Sequence, residues 1–230
     1  MIRQLYRLLP ASIRANVYLA VAKQGKQDEN RRAQEAEAKL PHVELRLEHI
    51  QNMRVLFNRD ALLDVLPKHS IVAELGVAQG DFSAKILSVT KPKELYLIDS
   101  WAHDERYVDM AKLVQKRFDK EIALGQVHVH QGLSAVELKR IENGYIDWVY
   151  IDTSHDYETT IEELEICREK VAEGGLIAGH DYVTGAWLSS IRFGVIEAVH
   201  QFCVRHNWEM IYLTHESHRH LSYVLKRIQS

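Results

Sequence analysis

A chain of 230 residues is long enough for one large α/β domain with an appendage and a full core. Hydrophobic residues at 46% and charged residues at 27% are ordinary for a soluble globular protein, and a formal charge of −3 gives no electrostatic case for binding nucleic acid. No apolar run reaches the roughly 18 residues that span a bilayer, and no leader-like apolar core opens the chain, so a cytoplasmic location is expected. Cys167 and Cys203 lie far apart inside apolar helical patterns, as buried thiols in a reducing compartment do. Without a C-x-x-C pair, neither thiol–disulfide exchange nor a zinc knuckle is supported.

Residues 1–45 read as a helical arm and connector, and residues 46–230 as the main domain. In the arm, Ile2, Leu5, Tyr6, Leu8 and Leu9 make one apolar face and Ile13, Val17 and Tyr18 a second, separated by Pro10, with Ser12 able to start the second helix. Arg3, Arg7, Arg14 and Lys23 dot the polar side. Such an arm packs on the core or on a second subunit of a homo-oligomer. Its sharper alternative is a basic anchor on an anionic membrane surface through residues 1–25. Gln27–Lys39 follows as a solvated helix or connector. Two helical pieces are predicted between Leu45 and Leu66, the second starting near Asn58 and ending before Pro67.

The organising stretch comes next. Ile71–Leu75 and Leu95–Ile98 are short apolar runs suited to buried parallel strands, and Phe82, Ile86 and Val89 recur between them at helical spacing. The turn reads Glu74-Leu-Gly76-Val-Ala78-Gln-Gly80, with Asp81 placed to cap the helix. Its glycines let the backbone bend sharply and approach a ligand closely. Glu74 and Asp99, at successive strand ends, would face the crevice where open α/β sheets bind ligands, and Asp99 is placed to accept ribose hydroxyls. Neither G-x-G-x-x-G nor a phosphate-cradling P-loop is present.

Beyond Ser100-Trp101, a helix is predicted over about 106–124, then a strand at Val127–His130 whose His128 and His130 share a half-exposed face. The turn Gln131-Gly132-Leu-Ser134 follows. Ile146–Asp152 is a fourth strand with Trp148, Val149 and Ile151 in the core, followed by Thr153-Ser154-His155 and a helix burying Ile161, Leu164 and Val171. Glu173-Gly174-Gly175 is predicted to stop that helix before a fifth strand, Leu176–Gly179, and then His180-Asp181-Tyr182. A helix within 185–202 would bury Ile191, Val195, Ala198 and Phe202 on one face, and Trp208–Leu213 and Ser222–Arg227 close the chain as strands. His215, His218 and His220 between them are expected to be solvated loop histidines. Seven strands with alternating helices make a doubly wound, mostly parallel α/β sheet whose last strand returns antiparallel. Its strand ends would gather Glu74, Asp99, Asp152, His180 and Asp181 on one rim, and buried carboxylates need partners.

Glu-x-Gly-x-x-x-Gly followed 25 positions on by a strand-ending Asp resembles the first motif and ribose acid of class I S-adenosylmethionine-dependent methyltransferases, with Ala78 where the commoner loop has a third glycine. The resemblance implies a Rossmann-like methyltransferase fold, S-adenosyl-L-methionine as cofactor, and binding through Glu74, Gly76, Ala78, Gly80, Asp99, Ser100, Trp101 and Asp152, with Gly132 and Ser134 at the adenine.

Asp152-Thr-Ser-His155-x-Tyr157, together with Gly174-Gly175-Leu-Ile-Ala-Gly179-His180-Asp181-Tyr182 and Gly194-Val195-x-x-Ala198-Val199-x-x-Phe202, is similar to the branch of macrocin O-methyltransferase and related sugar-modifying enzymes. That branch implies methylation of a hydroxyl on a small molecule or glycan. It further implies a divalent cation such as Mg2+ held by Asp152, His180 and Asp181. His180 departs from an all-oxygen site and, as a residue type that titrates near working pH, is instead a candidate general base beside Asp152, with His155, three residues beyond it on the same rim, as the rival base. The alternatives are a nicotinamide-dependent oxidoreductase on a related fold and a non-catalytic scaffold. The missing glycine and the acid pair after strand five count against the first, and the intact acidic rim against the second.

Overall fold

A computed structural model describes residues 10–102, 105–186, 191–216 and 220–229. The apolar face of Ile2 to Leu9, and His218, fall outside them. The chain divides into two compact units, Met1–Pro41 and His42–Ser230. In the first, α1 (Ala11–Glu37) is one continuous helix of 27 residues, so the stretch from Gln27, expected as a solvated helix or a connector, is helical to Glu37.

The second unit is a three-layer α/β body. An eight-stranded sheet runs in the order β1-β9-β10-β6-β5-β2-β3-β4. Its strands are β1 (Arg54–Leu56), β2 (Ile71–Leu75), β3 (Glu94–Asp99), β4 (Val127–Gln131), β5 (Ile146–Ile151), β6 (Val171–Gly179), β9 (Trp208–Thr214) and β10 (Tyr223–Arg227). β10 pairs antiparallel with both β6 and β9, and the remaining pairs are parallel. Parallel strands covered on both faces must be apolar throughout, and β5 obeys. Val149 and Ile151 join the core under α7 (Tyr157–Lys170) and α8 (Val195–His206), which supply Leu164, Val199 and Phe202. Trp148 and Tyr150 join the opposite core, with Leu62 of α2 (Arg59–Val65), Ile86 of α3 (Asp81–Thr90) and Val114 of α4 (Glu105–Arg117). Two short helices, α5 (Asp119–Ala123) and α6 (Ser134–Glu137), flank β4.

Four local expectations are corrected. The stretch expected as the first helical piece after Leu45 holds only a 3-10 turn, Leu47–His49, and then β1, an edge strand stabilised by pairing with β9 through Val55 and Leu213. α7 stops at Lys170, not at the glycines, and Val171 already belongs to β6; Gly174, in the left-handed region, sits in a bulge against β5. Ile191 lies in a hairpin of β7 (Gly185–Ala186) and β8 (Ile191–Arg192), and α8 begins only after Gly194. There a Cβ would sit 2.4 Å from the Tyr157 nitrogen, so close approach demands glycine. Gly80, not Asp81, is the N-cap of α3, and Asp81 pairs instead with Arg117 Nη1 at 2.6 Å.

Candidate active site

β2 stands where the sheet order reverses, with β3 on one side and β5 on the other, so a crevice opens at their C-terminal ends. Short backbone bonds knit the rim: Gly76 N–H to Ile98 O at 2.9 Å, Asp152 N–H to Leu75 O at 2.8 Å, and His180 N–H to Ile151 O at 2.9 Å. The loops after β2 and β5 come so close that a Cβ on Gly76, at φ +86°, would lie 1.9 Å from the Asp152 carbonyl oxygen. A cavity of about 770 Å3 occupies the crevice.

Of the residues expected to hold a nucleoside ligand, Glu74, Gly76, Ala78, Asp99, Ser100, Ser134 and Asp152 line this cavity. Asp99 is turned to an additional task. Its Oδ2 accepts from Val77 and Ala78 N–H at 2.8 and 2.9 Å, and its Oδ1 from Trp101 N–H at 2.8 Å, so it fixes the glycine turn as well as facing the cavity. Trp101 braces the turn from behind: buried, it donates Nε1–H to Ala78 O at 2.9 Å. Gly80 and Gly132 shape backbone rather than wall, Gly80 at the start of α3 and Gly132 through its N–H to Asp99 O at 2.9 Å.

Glu74 is 1% exposed, its Oε2 has no hydrogen-bond partner, and it lines the cavity. Burial pushes its carboxyl up to about 8, against the pull of the Ser83 hydroxyl and the Arg59 guanidinium. An orphaned buried oxygen on a cavity wall marks the place of a ligand donor.

Beyond β5 and β6 the rim turns imidazole-rich. Asp152, His155 and Asp181 present donor atoms within 4.8 Å of one another. His155 Nδ1 lies 3.1 Å from Asp181 Oδ2, and His180 Nδ1 lies 3.4 Å from the same oxygen and 3.7 Å from Asp152 Oδ1. His155 and Asp181 both adopt positive φ, +63° and +57°, a strain that non-glycine residues keep where surroundings enforce it. Burial raises the Asp181 carboxyl, but hydrogen bonds from His180 and His220 and the charges of His155 and His180 overcome it and hold it at about 2. His155 lines the large cavity; His180 lines a small void beneath it with Ile151 and Tyr223. His128 and His130, expected as ordinary strand residues, lie beside Glu94 and Glu137 at 3.3 and 3.4 Å.

Three site residues escaped sequence reasoning. Arg59 Nη2 donates to Asp152 Oδ2 at 2.6 Å and its guanidinium lies 3.7 Å from the Phe82 ring centroid. A cation in the first turn of a helix opposes the helix dipole, and that was the available signal. Glu163 lines the cavity and ties two loops, accepting from Ser134 Oγ and from Thr153 Oγ1 at 2.8 Å; burial raises it to about 7 despite those bonds. Its signal was an acid on the apolar side of α7, beside Leu164 and Cys167. His220 hydrogen-bonds Asp181 Oδ1, and only its neighbours in a histidine-rich turn hinted at a role.

The family described as a methyltransferase domain matches residues 73–182. No curated protein sequence matches the chain. Among solved structures, an S-adenosylmethionine-dependent methyltransferase from Aquifex aeolicus is similar over 80% of this chain and 93% of its own, at 14% identity and a TM-score of 0.55. The fibrillarin of Aeropyrum pernix, described with natively bound S-adenosyl-L-methionine, is similar over 72% of each chain, at 12% identity and a TM-score of 0.52. The pyocyanin biosynthetic protein PhzM matches 74% of this chain at 14% identity and a TM-score of 0.55, and this chain spans only 54% of PhzM. Residues 73–182 thus resemble a methyltransferase domain, and the sheet has the fold of the S-adenosylmethionine-dependent methyltransferases it matches.

Proposed function

We propose that this chain is an S-adenosylmethionine-dependent O-methyltransferase acting on a hydroxyl of a small molecule or glycan. The observation that carries it is the His155–Asp181 pair: an imidazole nitrogen 3.1 Å from a buried carboxylate oxygen, with His155 on the same cavity that Glu74 and Asp99 line. The wall fits the cofactor. The unpartnered Glu74 Oε2 is the candidate acceptor for an ammonium, Asp99 retains one lone-pair site for a ribose hydroxyl, and Ser134, held by Glu163, is the candidate contact for an adenine.

Bound against Glu74 and Asp99, the cofactor would supply an electrophilic methyl group to the acceptor oxygen, with a neutral thioether as the leaving group. His155 takes the hydroxyl proton on Nε2, because its Nδ1 is turned to the Asp181 carboxylate, whose charge stabilises the imidazolium that results. His180 and His220 keep Asp181 in place and ionised. Fixed turns at Gly76 and Asp152 hold the two reacting ends at one crevice, and positioning supplies much of such an acceleration.

Calorimetry with S-adenosylhomocysteine, run beside NAD+, tests the cofactor assignment; binding of NAD+ alone would overturn it. Incubation with methyl-labelled cofactor and a panel of sugar and phenolic hydroxyls tests the acceptor class. His155→Ala is expected to abolish transfer and spare S-adenosylhomocysteine binding.

We also propose a peripheral membrane contact through residues 1–25. Residues 1–27 contain no acid while holding Arg3, Arg7, Arg14, Lys23 and Lys26, and Tyr18, Leu19 and Val21 of α1 are 69%, 63% and 66% exposed. No helix among the described residues is long and apolar enough to cross a membrane. Flotation with phosphatidylserine vesicles should fail for a chain lacking residues 1–40; equal flotation of both forms would refute the contact.

A further inference from the structure

We propose that Arg59 occupies the place of a divalent cation at this rim, so that the chain needs no metal to work; the proposal rests on the O-methyltransferase assignment above. Asp152, His180 and Asp181, the residues expected to ligate an ion, do come together, but Asp152 Oδ2 and both Asp181 oxygens already face cationic or imidazole groups of this chain. Asp152 Oδ2 takes the Arg59 Nη2 donor at 2.6 Å, while its Oδ1 faces His180 at 3.7 Å. Asp181 has His220 on one oxygen, and His155 and His180 on the other at 3.1 and 3.4 Å.

Arg59 is not a passing surface partner. Its side chain is 19% exposed and packs with its guanidinium carbon 3.7 Å from the Phe82 ring centroid and 4.8 Å from that of Tyr150. Its backbone N–H donates to Glu216 Oε1 at 3.1 Å, which anchors the start of α2. Packed against two adjoining rings and bonded to Asp152, the guanidinium holds a permanent positive charge that does not titrate in the working range. A magnesium-type ion prefers carboxylate oxygen and water to imidazole. Here it would have to displace the arginine from Asp152 or sit beside it against charge repulsion.

The positive charge that a metal would bring to Asp152 is therefore built into the fold. In the reaction its part is to hold Asp152 in place at the cavity wall and to keep the electrostatic field there favourable to an oxygen that gains negative character as its proton leaves. Arg59 is a positioning residue, acting through Asp152.

The test is Mn2+ binding by chelator-stripped protein, read from the loss of the free-ion magnetic resonance spectrum. The wild type is expected to leave the Mn2+ spectrum unchanged at millimolar ion. Arg59→Met, folded by circular dichroism, is expected to bind Mn2+ because Asp152 is released; should it unfold, Arg59→Gln is read the same way. Mn2+ binding by the wild type overturns the proposal, and so does absence of binding by the folded variant. S-adenosylhomocysteine calorimetry on the same wild-type sample reports separately on the methyltransferase assignment, so failure of one is not mistaken for failure of the other.

Discussion

Arg59 and Asp152 are 93 positions apart and meet at 2.6 Å, joining the first turn of α2 to the end of β5 across the cavity. The contact gives Asp152 a counter-charge and anchors a helix that has no strand pairing of its own. Both partners are only about one-fifth exposed, 19% and 23%, so solvent screens the pair weakly. Arg59→Met should destabilise by about 2 kcal/mol, between the values for surface and buried pairs. Arg59→Lys should recover less than half of that, since an ammonium lacks the stacked fork. Urea denaturation of the three proteins measures both.

Glu74 makes stability depend on pH with a definite sign. Its folded pKa, about 8, lies above the usual 4.5, so the folded state favours the protonated form. The stability it allows is fully present below about 4.5 and is lost as pH rises towards 8. Glu74→Gln should remove that slope and be more stable than wild type at pH 9, by roughly 3 kcal/mol after allowance for relaxation around a buried charge. Melting curves across the range decide it; parallel curves for the two proteins would refute the assignment.

The same carboxyl links binding to protons. An ammonium placed against Glu74 favours its charged form, so cofactor binding near pH 7 should release a proton to the buffer. The apparent enthalpy of S-adenosylhomocysteine binding should then differ between phosphate and Tris in proportion to their ionisation enthalpies. In Glu74→Gln that difference should vanish.

Glu163 is expected to matter as a tie rather than as a charge. Glu163→Gln keeps an acceptor oxygen for one of the Ser134 and Thr153 hydroxyls and offers an amide N–H to the other, whereas Glu163→Ala leaves both hydroxyls unpaired beside the cavity. The alanine variant should lose about 2 kcal/mol and weaken S-adenosylhomocysteine binding several-fold, while the glutamine variant stays near wild type at pH 6. Denaturation and calorimetry at that pH separate the two.

The turn after β2 offers a paired test of backbone conformation. Gly76→Ala drives a Cβ to 1.9 Å from the Asp152 carbonyl oxygen and should cost at least about 3 kcal/mol. Ala78 already adopts φ +48° in the turn, so Ala78→Gly relieves left-handed backbone strain and should raise stability by up to about 1 kcal/mol. Thermal melts of the two variants should move in opposite directions.

The sequence by itself determined the order of strands from Ile71 to Asp152, the helix between the first two, and the acids at the ends of β2, β3, β5 and β6, but not the break between α4 and α5 or the short α6. Those signals are local: an apolar run, a glycine turn and a helical repeat each lie within a dozen or so residues. Where local signals competed, tertiary structure decided. Gly174 and Gly175 resemble a helix stop yet form a bulge, because β6 pairs with β5 from Val171 onward. β1 has only three residues and exists because β9 lies beside it. The partners of the rim carboxylates were also a tertiary matter. β10 inserts between β6 and β9, and Tyr182 N–H bonds Leu221 O at 3.0 Å, which carries His220 to Asp181 from 39 positions away. Arg59 reaches Asp152 in the same way, from the helix that enters the sheet. Which charges face a carboxylate depends on contacts between distant segments, and no periodicity along one chain encodes those.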